Sequence, residues 1–425
     1  MLERSYLIQP QLIGLEEEQQ DVSFHEHLPY SDFSKWVPEN SIYNEALINI
    51  HSLNRLSDIK CLSFLSYVGP NPQNMYFTSF THSRFDHSLT VALIVEQILK
   101  QNGIPQEQID LGIIAGILHD IATPAYGDAT KQIDIKNLDE EDYWWEVLDK
   151  KGKDFVTQFG TRETIDKIIK NQGLLGKVLD ISDRIVYTMK DLNALIWPNQ
   201  IEKQEKNDYL LGIKKIARNN LKIGNIYKEI GVDQKKQEIV FNNSNNLNIF
   251  LNLRAHLHKN FYLHPINQAK DLFVAKVIER VYSKNKNSVL SADRLRKMTD
   301  YDLLSVLGTY YKESAITMHP LLVNWQAEFE KFDSLEKAKI KENELKQNKN
   351  IAIVGIKEIR DFNTMTDWKI TDGYKYVKFK KHNPQAAKKI DKISQSTKGI
   401  FLFWTDISEK NPTNKFLADI LQKQF

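Results

Sequence analysis

His119 and Asp120 close a segment that is otherwise apolar, with Leu111, Ile113, Ile114, Ile117 and Leu118 leading up to them. An imidazole beside a carboxylate suits a divalent transition metal, and burying either group unpaired is costly. Because the chain has 11 histidines, one such pair can also be an ordinary packed histidine with a helix-end carboxylate. Three further features favour a site. His87 lies in His82-Ser-Arg84-Phe-Asp-His87-Ser88, in the first turn of the preceding predicted helix. Asp183, Tyr187 and Asp191 recur every fourth residue, which stacks them on one helical face. Arg254, His258 and Tyr262 repeat that spacing. One polar stripe is usually a solvated face, but two stripes plus the histidines point to one shared cleft.

The elements that must position these residues are mostly helices. Residues 86–101 place Leu89, Leu93, Val95, Ile98 and Leu99 on one broad face and stop at Gly103, the pattern of an amphipathic helix. Ser83, with Asp86 three residues on, forms a weak capping-box signal. Residues 106–121 are apolar nearly all round, as a helix buried in the middle of a fold must be. Further helices are predicted over 174–195, ending before Pro198, over 247–262 and over 266–282. Residues 233–246 form a polar insertion, a short hairpin or a mobile loop. The stretch 334–350 is rich in Lys, Glu, Gln and Asn and reads as a solvated helix or linker. Beyond it, Ile351–Ile356, Tyr374–Phe379 and Gly399–Trp404 read as strands. The fold class expected is therefore mainly α, with a small C-terminal α/β or α+β lobe. The boundaries expected are an N-terminal extension over 1–50, a helical core over 51–330, a charged linker or helix over 331–350 and the lobe over 351–425.

Composition narrows the classes. With 20 Phe, 17 Tyr and 7 Trp in 425 residues, 41% of them apolar, the chain can bury a large core and is not a disordered type. A net charge of +2 argues against a strongly basic nucleic-acid binder. No basic segment followed by an apolar one begins the sequence, and no apolar run approaches about 18 residues, so a cytoplasmic protein without a membrane partner is expected. The single cysteine, Cys61, excludes an internal disulfide and any cysteine-rich zinc site. There is no glycine-rich phosphate loop of either common type.

The spaced motifs resemble those of the HD-domain metal-dependent phosphohydrolases, and within them the deoxynucleoside triphosphate triphosphohydrolases. The superfamily pattern His…His-Asp…Asp falls on His87, His119-Asp120 and Asp183. His82-x-Arg84-Phe-Asp-His87-Ser is similar to the family's His-x-Arg-Phe-Glu-His-Ser. Ala115-Gly-Ile-Leu-His-Asp120, Asp183-x3-Tyr187-x3-Asp191, Arg254-x3-His258-x3-Tyr262-x-His264 and Met298-Thr-Asp-Tyr-Asp-Leu-Leu304 each resemble a family segment. The resemblance covers about residues 50–310 and makes the 51–330 body an HD-domain core. It implies a divalent transition metal (Mn, Fe, Zn, Co or Ni) held by His87, His119, Asp120 and Asp183, and magnesium could accompany the nucleotide. It places Arg84, Arg184 (Lys in near relatives) and Arg254 at phosphate oxygens, Tyr187 and Asp191 at the sugar 3′-hydroxyl, and His258 and Tyr262 beside the substrate. A nucleoside triphosphate carries about four negative charges, which guanidinium groups can meet in two-point contacts. The implied reaction is hydrolysis of a deoxynucleoside triphosphate to deoxynucleoside and triphosphate, controlling nucleotide pools and in some relatives restricting viruses or phages. The implied assembly is a homo-oligomer, which an allosteric nucleotide could shift.

The sequence also departs from that family. Where Leu-Gly-His-Gly-Pro-Phe-Ser-His often follows the His-Asp pair, this chain has Ile-Ala-Thr123-Pro-Ala-Tyr-Gly-Asp128. A later His-Glu-Glu/Gln segment is replaced by Asp139-Glu-Glu-Asp142. Asp128 and Asp139 therefore stand as the candidate proton donors in place of histidines. Cys61 stands where relatives carry a base-contacting Gln, and the stretch from it to His82 is longer than usual. Two alternatives follow: an HD phosphohydrolase of another specificity (nucleotidase, cyclic-nucleotide phosphodiesterase or nuclease), or a nucleotide-sensing scaffold without turnover.

Overall fold

In the computed structural model of the chain, residues 41–61, 82–133, 138–196, 221–284, 290–323, 325–372, 375–408 and 412–421 are described. Most of the expected N-terminal extension, the stretch between Cys61 and His82, Tyr374 and Pro198 lie outside them. Helix α1 (Arg84–Gln101) is capped by Ser83, whose Oγ accepts the Asp86 N–H at 3.1 Å. The Asp86 carboxylate turns away from that cap and pairs with Lys190. Helix α2 (Gln106–Leu118) buries Ile109 and every residue from Gly112 to Leu118, and each fully buried aliphatic side chain contributes about 1.5–3 kcal/mol. The two helices approach closely at Gly116, where a β-carbon would meet the Ala92 Cα at 2.7 Å. An alanine there would push α2 away from α1 and move the residues that follow, His119 and Asp120.

Two short helices, α3 (Gly127–Lys131) and α4 (Glu140–Tyr143), come next, and then the long α5 (Gly173–Ile196). The insertion expected at 233–246 proves to be the turn and second strand of a hairpin of β1 (Ile230–Asp233) and β2 (Glu238–Phe241), in register from Ile230 opposite Phe241 to Asp233 opposite Glu238, and its last three residues already belong to a helix. Asn243 then caps α6 (Ser244–Leu257) by accepting from the N–H groups of Asn245 and Asn246. The predicted helix over 247–262 is not continuous. It ends at Leu257 and passes into a π-helical turn over His258–Tyr262, a wider winding that often marks functional positions. Helices α7 (Pro265–Lys284) and α8 (Asp300–Tyr311) complete the helical part of the site's surroundings.

The C-terminal region holds β3 (Glu328–Phe332), α9 (Leu335–Leu345), β4 (Ile351–Ile359), β5 (Lys369–Asp372), β6 (Lys375–Lys378), α10 (Pro384–Thr397) and β7 (Gly399–Asp406). The molecule is thus mainly helical with a small lobe containing strands, as expected. One sheet runs β3-β7-β4, all antiparallel. The other runs β1-β2-β5-β6, with β2 and β5 parallel, so the insertion and the C-terminal chain build one sheet together. Residues 360–397 do not stay with the lobe. Met365, Ile370, Phe379, Ala387 and Ile390 belong to the same buried cluster as α1, α2 and α5. Trp368 lies at 5.2 Å from Phe241 and 6.3 Å from Phe250, nearly parallel to both rings. The C-terminal chain therefore returns to the wall of the helical cleft. No helix among the described residues is long and apolar enough to cross a membrane.

Candidate metal centre and adjoining cleft

His87 in the first turn of α1, His119 and Asp120 just beyond α2, and Asp183 on α5 bring their side chains to one point. His87 Nε2 lies 2.9 Å from Asp183 Oδ1 and 3.6 Å from Asp120 Oδ2. His119 Nε2 lies 3.7 Å from Asp120 Oδ2 and 3.8 Å from Asp183 Oδ1. His119 Nδ1 is 2.7 Å from the Gly116 carbonyl. A carbonyl only accepts, so Nδ1 carries the proton and Nε2 faces the two carboxylates, the arrangement that metal-ligating imidazoles use. His119 Nε2 is buried without a hydrogen-bond partner.

The electrostatics favour a cation. Burial alone would lower the His119 pKa, but Asp120 and Asp183 outweigh it and raise it to about 9. Burial would raise both carboxyls, yet Arg84 with the histidines holds Asp120 well below the usual carboxylate range, and His119 with His87 does the same for Asp183. Two ionised carboxylates facing two imidazoles form a mixed oxygen and nitrogen donor set that fits a divalent transition metal. A metal there would take the place of the proton that His119 otherwise holds. The ligand atoms of His87, His119 and Asp120 all lie within 4.8 Å of one another.

A cavity of about 550 Å³ opens from this cluster, within the range of small-molecule sites. Of the sequence-predicted residues, Arg84, His87, His119, Asp120, Asp128, Asp183, Arg184, Tyr187, Asp191, Arg254, His258 and Tyr262 all line it, and Asp139 does not. Arg84 donates to Asp120 at 2.6 Å and to the Cys61 carbonyl at 3.3 Å. Arg184 holds Asp180, one turn earlier on α5, through two contacts of 2.9 and 2.6 Å. Arg254 is 3% exposed and donates to the Tyr187 hydroxyl at 2.7 Å and to the Asn363 carbonyl at 2.6 Å. Tyr262 donates to Asp191 Oδ2 at 2.5 Å. Burial lifts Asp191 to about 7, although the Tyr262 hydroxyl works against it. Burial, then Arg254 and Arg184, push His258 well below the ordinary imidazole value, which keeps that ring neutral.

The two expected proton donors are placed differently from that expectation. Asp139 is spent as a helix cap, accepting the Glu141 N–H at 3.1 Å at the start of α4. Asp128 follows left-handed Tyr126 and Gly127 and is 68% exposed, 3.9 Å from Lys131 Nζ, so it lies in solvent at the rim. A part-buried carboxyl on this side is Glu140, which pairs with Lys131 and is raised first by burial, and Asp271 is buried on the same side. Sequence reasoning passed over Glu140 although it neighbours Asp139, and over Asp180 although it sits four residues before Arg184. It could not have reached Asn363, more than a hundred residues from Arg254. The Met298–Leu304 segment braces the turn after the His-Asp pair. Asp300 accepts the N–H of Tyr126 at 2.8 Å and that of Lys60 at 3.0 Å.

With this geometry in place, the family model for the HD domain matches residues 84–195. Over those residues the chain is similar to the HD domain. That span holds all four convergent side chains and most of the cleft lining, while Arg254, His258, Tyr262 and Asp271 come from outside it. No curated protein sequence matches the chain. Among solved structures, the chain is similar to a phosphohydrolase from Bacteroides thetaiotaomicron, with a TM-score of 0.60 at 15% identity, over 87% of this chain and 96% of that one. It is also similar to a hypothetical protein from Aquifex aeolicus, with a TM-score of 0.54 at 15% identity, over 90% and 95% of the two chains. At such identity the likeness speaks for the fold, and it extends well past the HD domain into the C-terminal region.

Proposed function

We propose that the protein is a metal-dependent phosphohydrolase, and that it hydrolyses deoxynucleoside triphosphates to deoxynucleoside and triphosphate. One observation carries this reading: the His87, His119, Asp120 and Asp183 cluster opens into the same cavity as three guanidinium groups and the Tyr187, Asp191 and Tyr262 side chains. A divalent metal held by those four residues would polarise a phosphoryl group and lower the pKa of a water. Arg84, beside Asp120, and Arg254 and Arg184, farther along the cleft, meet phosphate oxygens. Asp191 and Tyr187 receive a sugar hydroxyl, and the Tyr262 ring fills the space that a 2′-hydroxyl would need. The fold likeness to a solved phosphohydrolase supports the broad class, and the family resemblance of Arg254, His258 and Tyr262 supports the nucleotide. A homo-oligomer responsive to nucleotide belongs to the same proposal, as does a role in nucleotide-pool control or antiphage defence.

A second reading, an HD phosphohydrolase acting on a less charged phosphoester, is favoured by the acidic side of the cavity, where Asp128, Glu140, Glu141 and Asp271 join the lining. That side would repel the tail of a polyanion. Incubating the purified protein with each deoxynucleoside triphosphate and Mn²⁺ and following ³¹P resonances separates the two. Inorganic triphosphate as the first phosphorus product supports the proposal. Turnover of simple phosphodiesters or monophosphates, with every triphosphate left intact, rejects it in favour of the second reading.

A further inference from the structure

The geometry points to the segment 360–366, between β4 and β5, as a working part of the cleft, with Phe362 a positioning residue for the phosphate-contacting Arg254 and for His258. This rests on the reading of Arg254 as a phosphate contact and extends it beyond the HD domain. The Phe362 ring lies 4.6 Å from the His258 ring at 14°, a stacked geometry within the range that stabilises aromatic pairs. The Arg254 guanidinium carbon sits 5.9 Å from the Phe362 ring and 5.9 Å from the Tyr187 ring, held between two π faces. The next residue supplies the Asn363 carbonyl that takes the Arg254 Nη1 proton at 2.6 Å. Phe362 is absent from the cavity lining, so it acts through Arg254 and His258 and does not touch substrate.

The segment is itself held from behind. Ser394 on α10 donates to the Phe362 carbonyl at 2.7 Å, Thr364 donates to Asp391 at 2.7 Å, and the Met365 N–H closes on Asn363 Oδ1 at 3.0 Å. Ser394, Met365 and Thr366 are buried. A long guanidinium side chain loses entropy when it is fixed on an anion. One already fixed by a carbonyl, a phenol and two rings has met that cost before the anion arrives. The neutral state of His258 suits the stack, because a second cation beside Arg254 would repel it.

The test compares Phe362→Leu, which keeps apolar bulk without a π face, with Phe362→Tyr, which keeps the face. Calorimetry with inorganic triphosphate in the presence of Mn²⁺ reads binding, and steady-state kinetics read KM against kcat. Phe362→Leu should weaken triphosphate binding and raise KM by about fivefold to tenfold, with metal content unchanged and kcat within about twofold. Phe362→Tyr should stay within about twofold of wild type. Ser394→Ala, which frees the Phe362 carbonyl without touching either ring, should shift KM in the same direction by less. A Phe362→Leu protein that matches wild type in binding and KM overturns the inference, as does one altered only in melting temperature or only in kcat. If the wild type binds no triphosphate, the nucleotide reading falls on its own. The same variants are then compared for KM on bis(p-nitrophenyl) phosphate, where a Leu variant equal to wild type again overturns the inference.

Discussion

The two ends of the cleft differ in what their polar atoms do for one another. At the His-Asp end, two imidazoles and two carboxylates converge from three helical regions, His119 Nε2 has no hydrogen-bond partner, and only one of the four cross-contacts is as short as 2.9 Å. At the Arg254 end three short bonds join the groups to one another, Arg254 with Tyr187 and Asn363 and Tyr262 with Asp191, at 2.5–2.7 Å, while Asp191 Oδ1 and His258 Nε2 stay without a partner. A cation entering the first end adds bonds and relieves repulsion between carboxylates. A ligand entering the second meets side chains already fixed by bonds to one another, so removing one of those bonds shifts binding by a fraction of its total. The His-Asp end should therefore be brittle to substitution, and the Arg254 end graded.

The largest expected effect is at the brittle end. Asp183→Ala should abolish hydrolysis and strip most of the bound metal while the protein remains folded, which metal analysis and circular dichroism would check. Full metal content with normal turnover would erase the contrast between the ends. At the graded end, Tyr262→Ala should reduce a preference for deoxynucleotides over ribonucleotides by about tenfold, the modest scale of discrimination by shape. Competition between the two sugars reads this directly, and an unchanged ratio would remove Tyr262 from the sugar site.

These effects fall on residues that differ in how legible they were. The helical body, the His119-Asp120 pair ending an apolar helix and the four-residue stripes on Asp183 and Arg254 follow from short spacings, whereas the grouping of His87, His119, Asp120 and Asp183 as one set is what the family resemblance implied. The capping residue Ser83 was also within reach of local rules, whereas the insertion read at 233–246 as a hairpin or loop misses the first strand, which starts at Ile230. What stayed hidden depends on distant chain. The return of 360–397 to the helical core joins segments over a hundred residues apart, and no local periodicity encodes that pairing. The π-helical turn at His258–Tyr262 keeps the same residue spacing as an α-helix on paper, so its wider winding leaves no mark in the sequence. Asp139 and Glu140 are neighbours of one type, and only backbone geometry decides which caps a helix and which turns into the cleft against Lys131.

Smaller effects sharpen the comparison through pH and stability. Asp191 is lifted by burial to about 7, whereas an unfolded aspartate titrates near about 3.9. Between those values the folded chain holds a proton that the unfolded chain has lost, so this residue makes stability fall as pH rises from about 4 to about 7. Asp191→Asn removes that slope, and its melting temperature relative to wild type should rise by a few degrees between pH 4.5 and pH 8. A gap that does not change with pH would contradict the burial assigned to Asp191. Least of all, Asp128→Asn at the exposed rim should change stability by no more than about 0.5 kcal/mol. Chemical denaturation reads this, and a loss well above that value would show that Asp128 is not the solvated rim residue described.

The central claim, that His87, His119, Asp120 and Asp183 hold a metal on which phosphoester hydrolysis depends, is tested most directly by stripping and reloading the wild-type protein. Chelation followed by titration with Mn²⁺, with metal content and hydrolysis measured on the same samples, should show activity lost with the metal and restored in proportion to about one ion per chain. Hydrolysis that persists in fully stripped protein, or one ion bound without any return of activity, would contradict it.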